Sequence, residues 1–185
     1  VAEIKVLALV GSLRAGSINR QIAQLAADVA PDDVTVTVFE GLGDLPFYNE
    51  EIDDAMNAEA GPLAPVAALR AAAAEADAAL VVTPEYNGSY PAVVKNAIDW
   101  LSRPFGDGAL KDKPLAVIGG AFGRYGGVWA HDDTRKSFGI AGARVVDAIK
   151  LSVPFATLEG KAPAEHAELV ANVRDAVGKL AAEVG

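Results

Sequence analysis

The chain has no cysteine among its 185 residues, which excludes disulfides, thiolate nucleophiles and sulfur-ligated metals together. Histidine is scarce as well: His131 and His166 are the only two. A serine hydrolase needs a nucleophile on a strained turn plus a histidine base, and no Gly-x-Ser-x-Gly turn occurs. Long apolar runs are missing too. Those present are short and broken by charge or glycine, far from the ~18 residues of a membrane-spanning helix. Positive charge is in deficit: sixteen Lys and Arg against twenty-five Asp and Glu give a formal net charge of −9. Without a local basic patch, that field repels nucleic-acid phosphates and acidic membrane surfaces. The opening Val1-Ala2-Glu3-Ile4-Lys5 lacks the basic stretch and apolar core of a secretion signal. Together with the missing cysteine, this gives the expectation of a cytoplasmic protein with neither a nucleic-acid nor a membrane partner.

What is present is the composition of a globular core, 51% hydrophobic and 22% charged, which excludes intrinsic disorder, collagen and coiled coil. The length suits one domain over residues 1–185, without linker, repeat or low-complexity tail. Ile4 to Val10 is an apolar run of strand length, and its near-continuous hydrophobicity suits a strand covered on both faces. Ile18, Ile22, Leu25, Ala26 and Val29 then recur at helical spacing until Pro31. Val34 to Phe39 alternates β-branched residues as a second strand. Residues 40–65, with glycines, prolines and acids but little periodicity, are expected as a long functional loop. Residues 66–76 form an alanine-rich helix by propensity, followed by a buried strand at 78–82. A helix resumes after Pro91 with Val94, Ile98 and Leu101 on one face. A fourth strand covers 114–119, a glycine-rich loop 119–127, a weaker helix 129–140 and a fifth strand 144–151. Leu169, Val173, Val177, Leu180 and Val184 form the stripe of a closing helix. Strand and helix alternate five times, so right-handed crossovers make an α/β parallel sheet covered on both faces.

In such a sheet a ligand lies at the carboxyl ends of the strands, and three segments there are unusual. Gly11-Ser12-Leu13-Arg14-Ala15-Gly16-Ser17-Ile18-Asn19-Arg20 holds glycines, hydroxyls, an amide and two arginines but no carboxylate. It suits an anion, since backbone amides can turn inward and the helix N-terminus adds its dipole; an ordinary turn with Ser17 or Asn19 as N-cap uses the same residues. It is neither a Walker A loop nor a G-x-G-x-x-G dinucleotide fingerprint. Thr83-Pro84-Glu85-Tyr86-Asn87-Gly88-Ser89-Tyr90-Pro91 combines a proline-fixed strand end with an Asn-Gly turn. Backbone donors and acceptors could there face the edge of a flat heterocycle beside Tyr86, or form a plain turn. Gly119-Gly120-Ala121-Phe122-Gly123-Arg124-Tyr125-Gly126-Gly127 has five glycines in nine residues, which permits close backbone approach to a ligand or a mobile surface loop.

Gly-Ser-Leu-Arg-x-x-Ser-x-Asn-Arg after the first strand, Pro-Glu-Tyr-Asn-Gly-Ser after the third, and Lys95-Asn96-Ala97-Ile98-Asp99-Trp100 in the next helix resemble the NADPH-dependent FMN reductase family. That family includes quinone, chromate and azo-dye reductases, and the likeness spans essentially the whole chain. The resemblance implies a flavodoxin-like three-layer fold with strand order 2-1-3-4-5 and tightly bound FMN. It implies that Ser12, Arg14, Ser17 and Asn19, with Ile18 beside them, hold the FMN phosphate. Pro84, Glu85, Tyr86, Asn87 and Gly88 would line the isoalloxazine, largely through backbone, and Gly120, Ala121 and Gly123 would complete the cofactor site. The Phe122-Gly123-Arg124-Tyr125 core departs from better-known relatives. On this resemblance NADPH or NADH gives a hydride to the flavin. After the oxidised nicotinamide leaves, a small-molecule acceptor such as a quinone, free flavin, azo dye or chromate takes two electrons in a ping-pong cycle. The cofactor carries the reaction, so no catalytic acid, base or nucleophile is expected.

A one-electron carrier of the flavodoxin kind is the alternative, although the first loop lacks its Thr-Gly-x-Thr ending. His131-Asp132-Asp133 suggests a metal at first glance but is expected on a solvated helix surface, and no metal site is expected. Trp100 and Trp129 are expected as packing residues or interface anchors. Leu45-Pro46-Phe47-Tyr48-Asn49 is an apolar run inside an acidic stretch, expected as a subunit contact near the flavin; the resemblance implies a homodimer or homotetramer.

Overall fold

The structure, a computed structural model, describes residues 3–57, 61 and 63–185. Five parallel strands form one sheet in the order β2-β1-β3-β4-β5: β1 is Ile4–Val10, β2 Val34–Phe39, β3 Ala78–Val82, β4 Pro114–Ala121 and β5 Arg144–Pro154. All of β3 and β4 and the last five residues of β1 are buried, which explains their unbroken apolar runs: helices cover both faces. The edge strand β2 instead alternates, burying Val34 and Val36 and exposing Thr35 and Thr37.

On one face, α1 (Ile18–Asp28) and α6 (Ala167–Ala181) pack Ile22, Leu25, Leu169, Val173, Val177 and Leu180 onto Val6, Ala8, Leu80 and Ile118. On the other, α3 (Ala64–Glu75), α4 (Ala92–Leu101) and α5 (Val128–Ile140) bring Leu69, Ile98, Trp100 and Phe138 onto Leu7, Leu9, Val81 and Leu115. Each fully buried Leu, Ile or Val contributes on the order of 1.5–3 kcal/mol. His166 ends the chain's approach to α6 as an N-cap, its Nδ1 accepting from the Leu169 amide at 3.2 Å.

The long loop expected over 40–65 contains a short helix, α2 (Glu50–Asn57), and a 3-10 turn at Leu42–Asp44. The signal for α2 is electrostatic rather than periodic: the Asn49 side chain accepts from the Glu51 amide, and Glu50, Glu51 and Asp53 occupy the first turn, where carboxylates oppose the positive end of the helix dipole. The helix α3 begins two residues earlier than the expected 66, with Pro65 in its first turn. Both β4 and β5 run beyond their expected ends, to Ala121 and Pro154, so Gly120 and Ala121 belong to a strand and not to the loop after it. Val184 lies past the end of α6 but packs against the same apolar layer.

Between β4 and β5 the register jumps from Leu115↔Val145 to Val117↔Lys150, leaving carbonyls without ladder partners. Arg135 on α5 meets them: its Nη2 donates to Val117 O at 2.8 Å and Ile149 O at 3.4 Å, while Nη1 pairs with Asp132. Burial, the larger effect, lowers the pKa of this guanidinium, partly offset by Asp132 and Asp147. The weak apolar stripe of α5 has the same origin, because the face it buries carries His131, Thr134 and Arg135.

Candidate functional site

Three loops converge at the carboxyl ends of β1, β3 and β4. The first leaves β1 through Gly11, whose amide still pairs with Val82 O at 2.9 Å. A Cβ there would lie 2.3 Å from Thr83 Oγ1, so only glycine lets the first and second loops start side by side. Leu13 to Gly16 are exposed, and the chain turns back through Ser17 N–H to Arg14 O at 3.0 Å. Ser17 is the N-cap of α1, its hydroxyl accepting from the Arg20 amide. The Ile18 and Asn19 amides, in the first turn, have no intrahelical acceptor and are free for an anion. Ser12 is nearly buried and makes no side-chain hydrogen bond among the described residues. Arg14 is exposed and forms no ion pair among them, whereas Arg20 is drawn away to Glu40.

The second loop is a hairpin turn as the Asn-Gly pair demands. Tyr86 and Ser89 exchange both backbone hydrogen bonds, at 2.8 and 3.1 Å, around Asn87 at φ 54° and Gly88 at φ 78°, the doubly positive pattern of a type I′ turn. Pro84 is buried, whereas Tyr86, Asn87 and Gly88 face outward. The Glu85 carboxylate accepts from the Ala130 amide at 3.1 Å, and Ser89 Oγ donates to Asp133 at 2.9 Å, so the loop is tied to the N-terminal half of α5. In the third loop Gly123 is exposed, while Gly120 and Ala121 are buried at the end of β4. Gly126 has φ 66° and packs so closely on β5 that a Cβ would meet Pro154 N at 2.6 Å. Phe122, Tyr125 and Trp129 leave ring surface exposed at the rim, with Trp129 beside Gly88.

Two side chains knit the loops together beneath this rim. Asn19 reaches from α1 to Gly120, its Nδ2 donating to Gly120 O at 3.0 Å and its Oδ1 accepting from Gly120 N at 2.8 Å. Both ends of its carboxamide are thus turned to Gly120, while its backbone N–H faces the first loop at the start of α1. The second is His131, which the sequence pattern placed on a solvated surface and the structure buries completely. Its Nε2 lies 2.8 Å from Thr83 O and its Nδ1 2.6 Å from Ser152 Oγ. A carbonyl can only accept, so Nε2 carries the proton and Nδ1 accepts from the serine hydroxyl. Burial pushes the imidazole pKa down, with the Thr83 hydrogen bond opposing and Arg135 assisting. The family-like Asn96 and Trp100 also act on a loop, from α4. Asn96 Nδ2 and Trp100 Nε1 donate to Pro46 O at 2.9 and 2.8 Å, and Asn96 Oδ1 accepts from the Tyr48 amide. Tyr48 packs edge-on against Trp100, while Phe47 between the clamped residues is 81% exposed. Of the two tryptophans, Trp100 is core and Trp129 is largely exposed.

Residues 4–158 match the family profile described as NADPH-dependent FMN reductase. The chain is 40% identical over 132 residues to a 2-hydroxy-1,4-benzoquinone reductase of a Burkholderia species, covering 71% of this chain and 68% of that protein. It is 43% identical, with the same coverage, to a quinone reductase of Pseudomonas putida. Among solved structures, FerB, a flavoenzyme NAD(P)H:(acceptor) oxidoreductase from Paracoccus denitrificans, superposes with a TM-score of 0.83 at 29% identity, over 98% of this chain and 97% of that one.

Proposed function

Because this chain belongs to the NADPH-dependent FMN reductase family, we propose that its three knitted loops hold FMN and admit NAD(P)H and then a quinone to one exposed face of the ring. The protein is an oxidoreductase that uses FMN with NAD(P)H as electron donor. The observation that carries the site assignment is the convergence of the carboxylate-free first loop with the glycine-rich end of β4, the two locked together by Asn19 and Gly120 beside the 84–88 turn. The donor set fits the cofactor. Ser12 Oγ, the Ser17 hydroxyl, the Ile18 and Asn19 amides and the Arg14 guanidinium hold the dianionic phosphate, helped by the dipole of α1. Pro84, Glu85, Tyr86, Asn87 and Gly88 offer backbone groups to the ring edge, and Ala121 and Gly123 close the opposite side. Gly120, whose own amide and carbonyl are taken by Asn19, forms the floor.

Bound FMN supplies hydride acceptance from nicotinamide and two-electron delivery to the acceptor. The residues of the chain orient and expose it. The Glu85 carboxylate, already engaged with the Ala130 amide, fixes the loop and moves no proton. Tyr86, Tyr125 and Trp129 present ring surface to a planar nicotinamide or quinone that docks in turn. Nothing in this arrangement requires a catalytic acid, base or nucleophile. A homodimer or homotetramer in the cytoplasm fits the reading, with Phe47 as an anchor presented by a rigid backbone. Anaerobic reduction of the FMN-loaded protein with NADH and with NADPH, followed by a panel of quinones, tests the activity. Parallel lines in double-reciprocal plots are expected; failure of both nicotinamides to bleach the flavin would refute it.

A further inference from the structure

The parallel ladder between β3 and β4 stops one rung before the proposed cleft, and side chains from opposite faces of the sheet replace the missing rung. Val82 pairs with Ile118, and Thr83 N–H donates to Ile118 O at 3.1 Å. Evenly spaced parallel pairing would next join Gly120 N–H to Thr83 O. Instead Gly120 N–H goes to Asn19 Oδ1 of α1, and Thr83 O accepts from His131 Nε2 of α5. Gly119 makes the parting possible: its φ is 148°, and a Cβ there would lie 2.3 Å from Thr83 O and 2.8 Å from Asn19 Oδ1. The strands therefore fork with Gly120 N–H and Thr83 O each given a side-chain partner, and Pro84 to Gly88 leave from the β3 branch.

We infer that His131 is a positioning residue for the flavin ring: by holding the Thr83 carbonyl, with Ser152 holding the imidazole in turn, it sets the direction in which the 84–88 loop leaves β3. This rests on the reading of that loop as the ring site. His131 touches neither the phosphate cradle nor, by its complete burial, any substrate. A role at the ring loop and a role at the phosphate then differ in what they do to riboflavin, which carries the ring and lacks the phosphate.

The test is fluorescence titration of the apoprotein with FMN and with riboflavin for the parent, His131→Leu, His131→Gln and Ser152→Ala. His131→Leu leaves the buried Thr83 carbonyl without a donor, and about a tenfold loss of affinity is expected, equal for the two flavins. A glutamine can donate to Thr83 O and accept from Ser152, so His131→Gln is expected to restore most of the affinity. Ser152→Ala frees the imidazole and is expected to weaken both flavins about threefold, which carries the test if the leucine variant does not fold. Unchanged affinities, a loss confined to FMN, or no rescue by glutamine would each overturn the positioning role while leaving the flavin site standing. A parent that binds neither flavin overturns the functional reading and this inference with it.

Discussion

Arg14 stands exposed in a loop without carboxylates and unpaired among the described residues, which leaves its guanidinium available to the phosphate in the proposed FMN site. Arg14→Ala is expected to weaken FMN by roughly tenfold to over a hundredfold, about 1.5–3 kcal/mol for a charge-assisted bond, while leaving riboflavin affinity and the melting temperature of the apoprotein unchanged. Equal FMN affinity would move the anion site elsewhere. His131 is the opposite case, a side chain already fully committed. Its folded-state pKa lies below the ordinary imidazole value, so the unfolded chain binds the proton more readily. The stability contribution is therefore present above about pH 6.5 and declines as pH falls toward the lower folded value. Thermal melts across the range of about pH 7.5 to 5 should show the parent losing stability more steeply than His131→Gln, and superimposable profiles would assign the acid sensitivity to other groups. The sequence concealed this residue because a histidine between a glycine pair and two aspartates has the composition of a solvated helix start.

Among the elements, α4 does more than cover the sheet. Asn96 and Trp100, four residues apart and hence on one helix face, clamp Pro46 and Tyr48. Asn96→Ala removes its hydrogen bonds to Leu45 O, Pro46 O and the Tyr48 amide, and leaves that amide without its acceptor, an expected cost of about 1–3 kcal/mol. Chemical denaturation measures it, and an unchanged stability of Asn96→Ala would contradict the clamp. This pair was legible as a motif, but its partner was not, since a contact between residues 46 and 96 leaves no trace in local periodicity. The helix α2 was missed for a different reason: its start is specified by an asparagine cap and acidic first turn, signals that a search for apolar spacing passes over.

For the whole molecule, cofactor binding and folding are linked. FMN at a hundredfold excess over its dissociation constant adds about 2.7 kcal/mol, and at about 2–4 °C per kcal/mol for a chain of this length the midpoint should rise roughly 5–10 °C, with a much smaller rise from riboflavin at the same concentration. An equal rise would contradict the phosphate role of the first loop. Assembly is tested at Phe47, since Tyr48 packs inside against Trp100 and its replacement would damage the fold. Phe47→Glu should dissociate an oligomer built on that anchor, because a charge in an apolar contact is costly; an unchanged mass in light scattering would place the interface on another surface.

The five strands, the two covered faces and the three unusual loops at the carboxyl ends of the strands followed from local pattern, because buried strands and amphipathic helices write their environment into a local period, whereas the strand order 2-1-3-4-5 came with the family resemblance. The Asn-Gly turn was equally local, its positive φ pair required by residue type. Only the tertiary structure decided the rest. It set the Asn19 carboxamide as a brace on Gly120, drew Arg20 to Glu40, and placed Gly120 in a strand. It also buried His131 and Arg135 against carbonyls that an irregular sheet left unpaired. A buried polar side chain is specified by where backbone groups lack partners, and those gaps exist only once distant strands have been brought together.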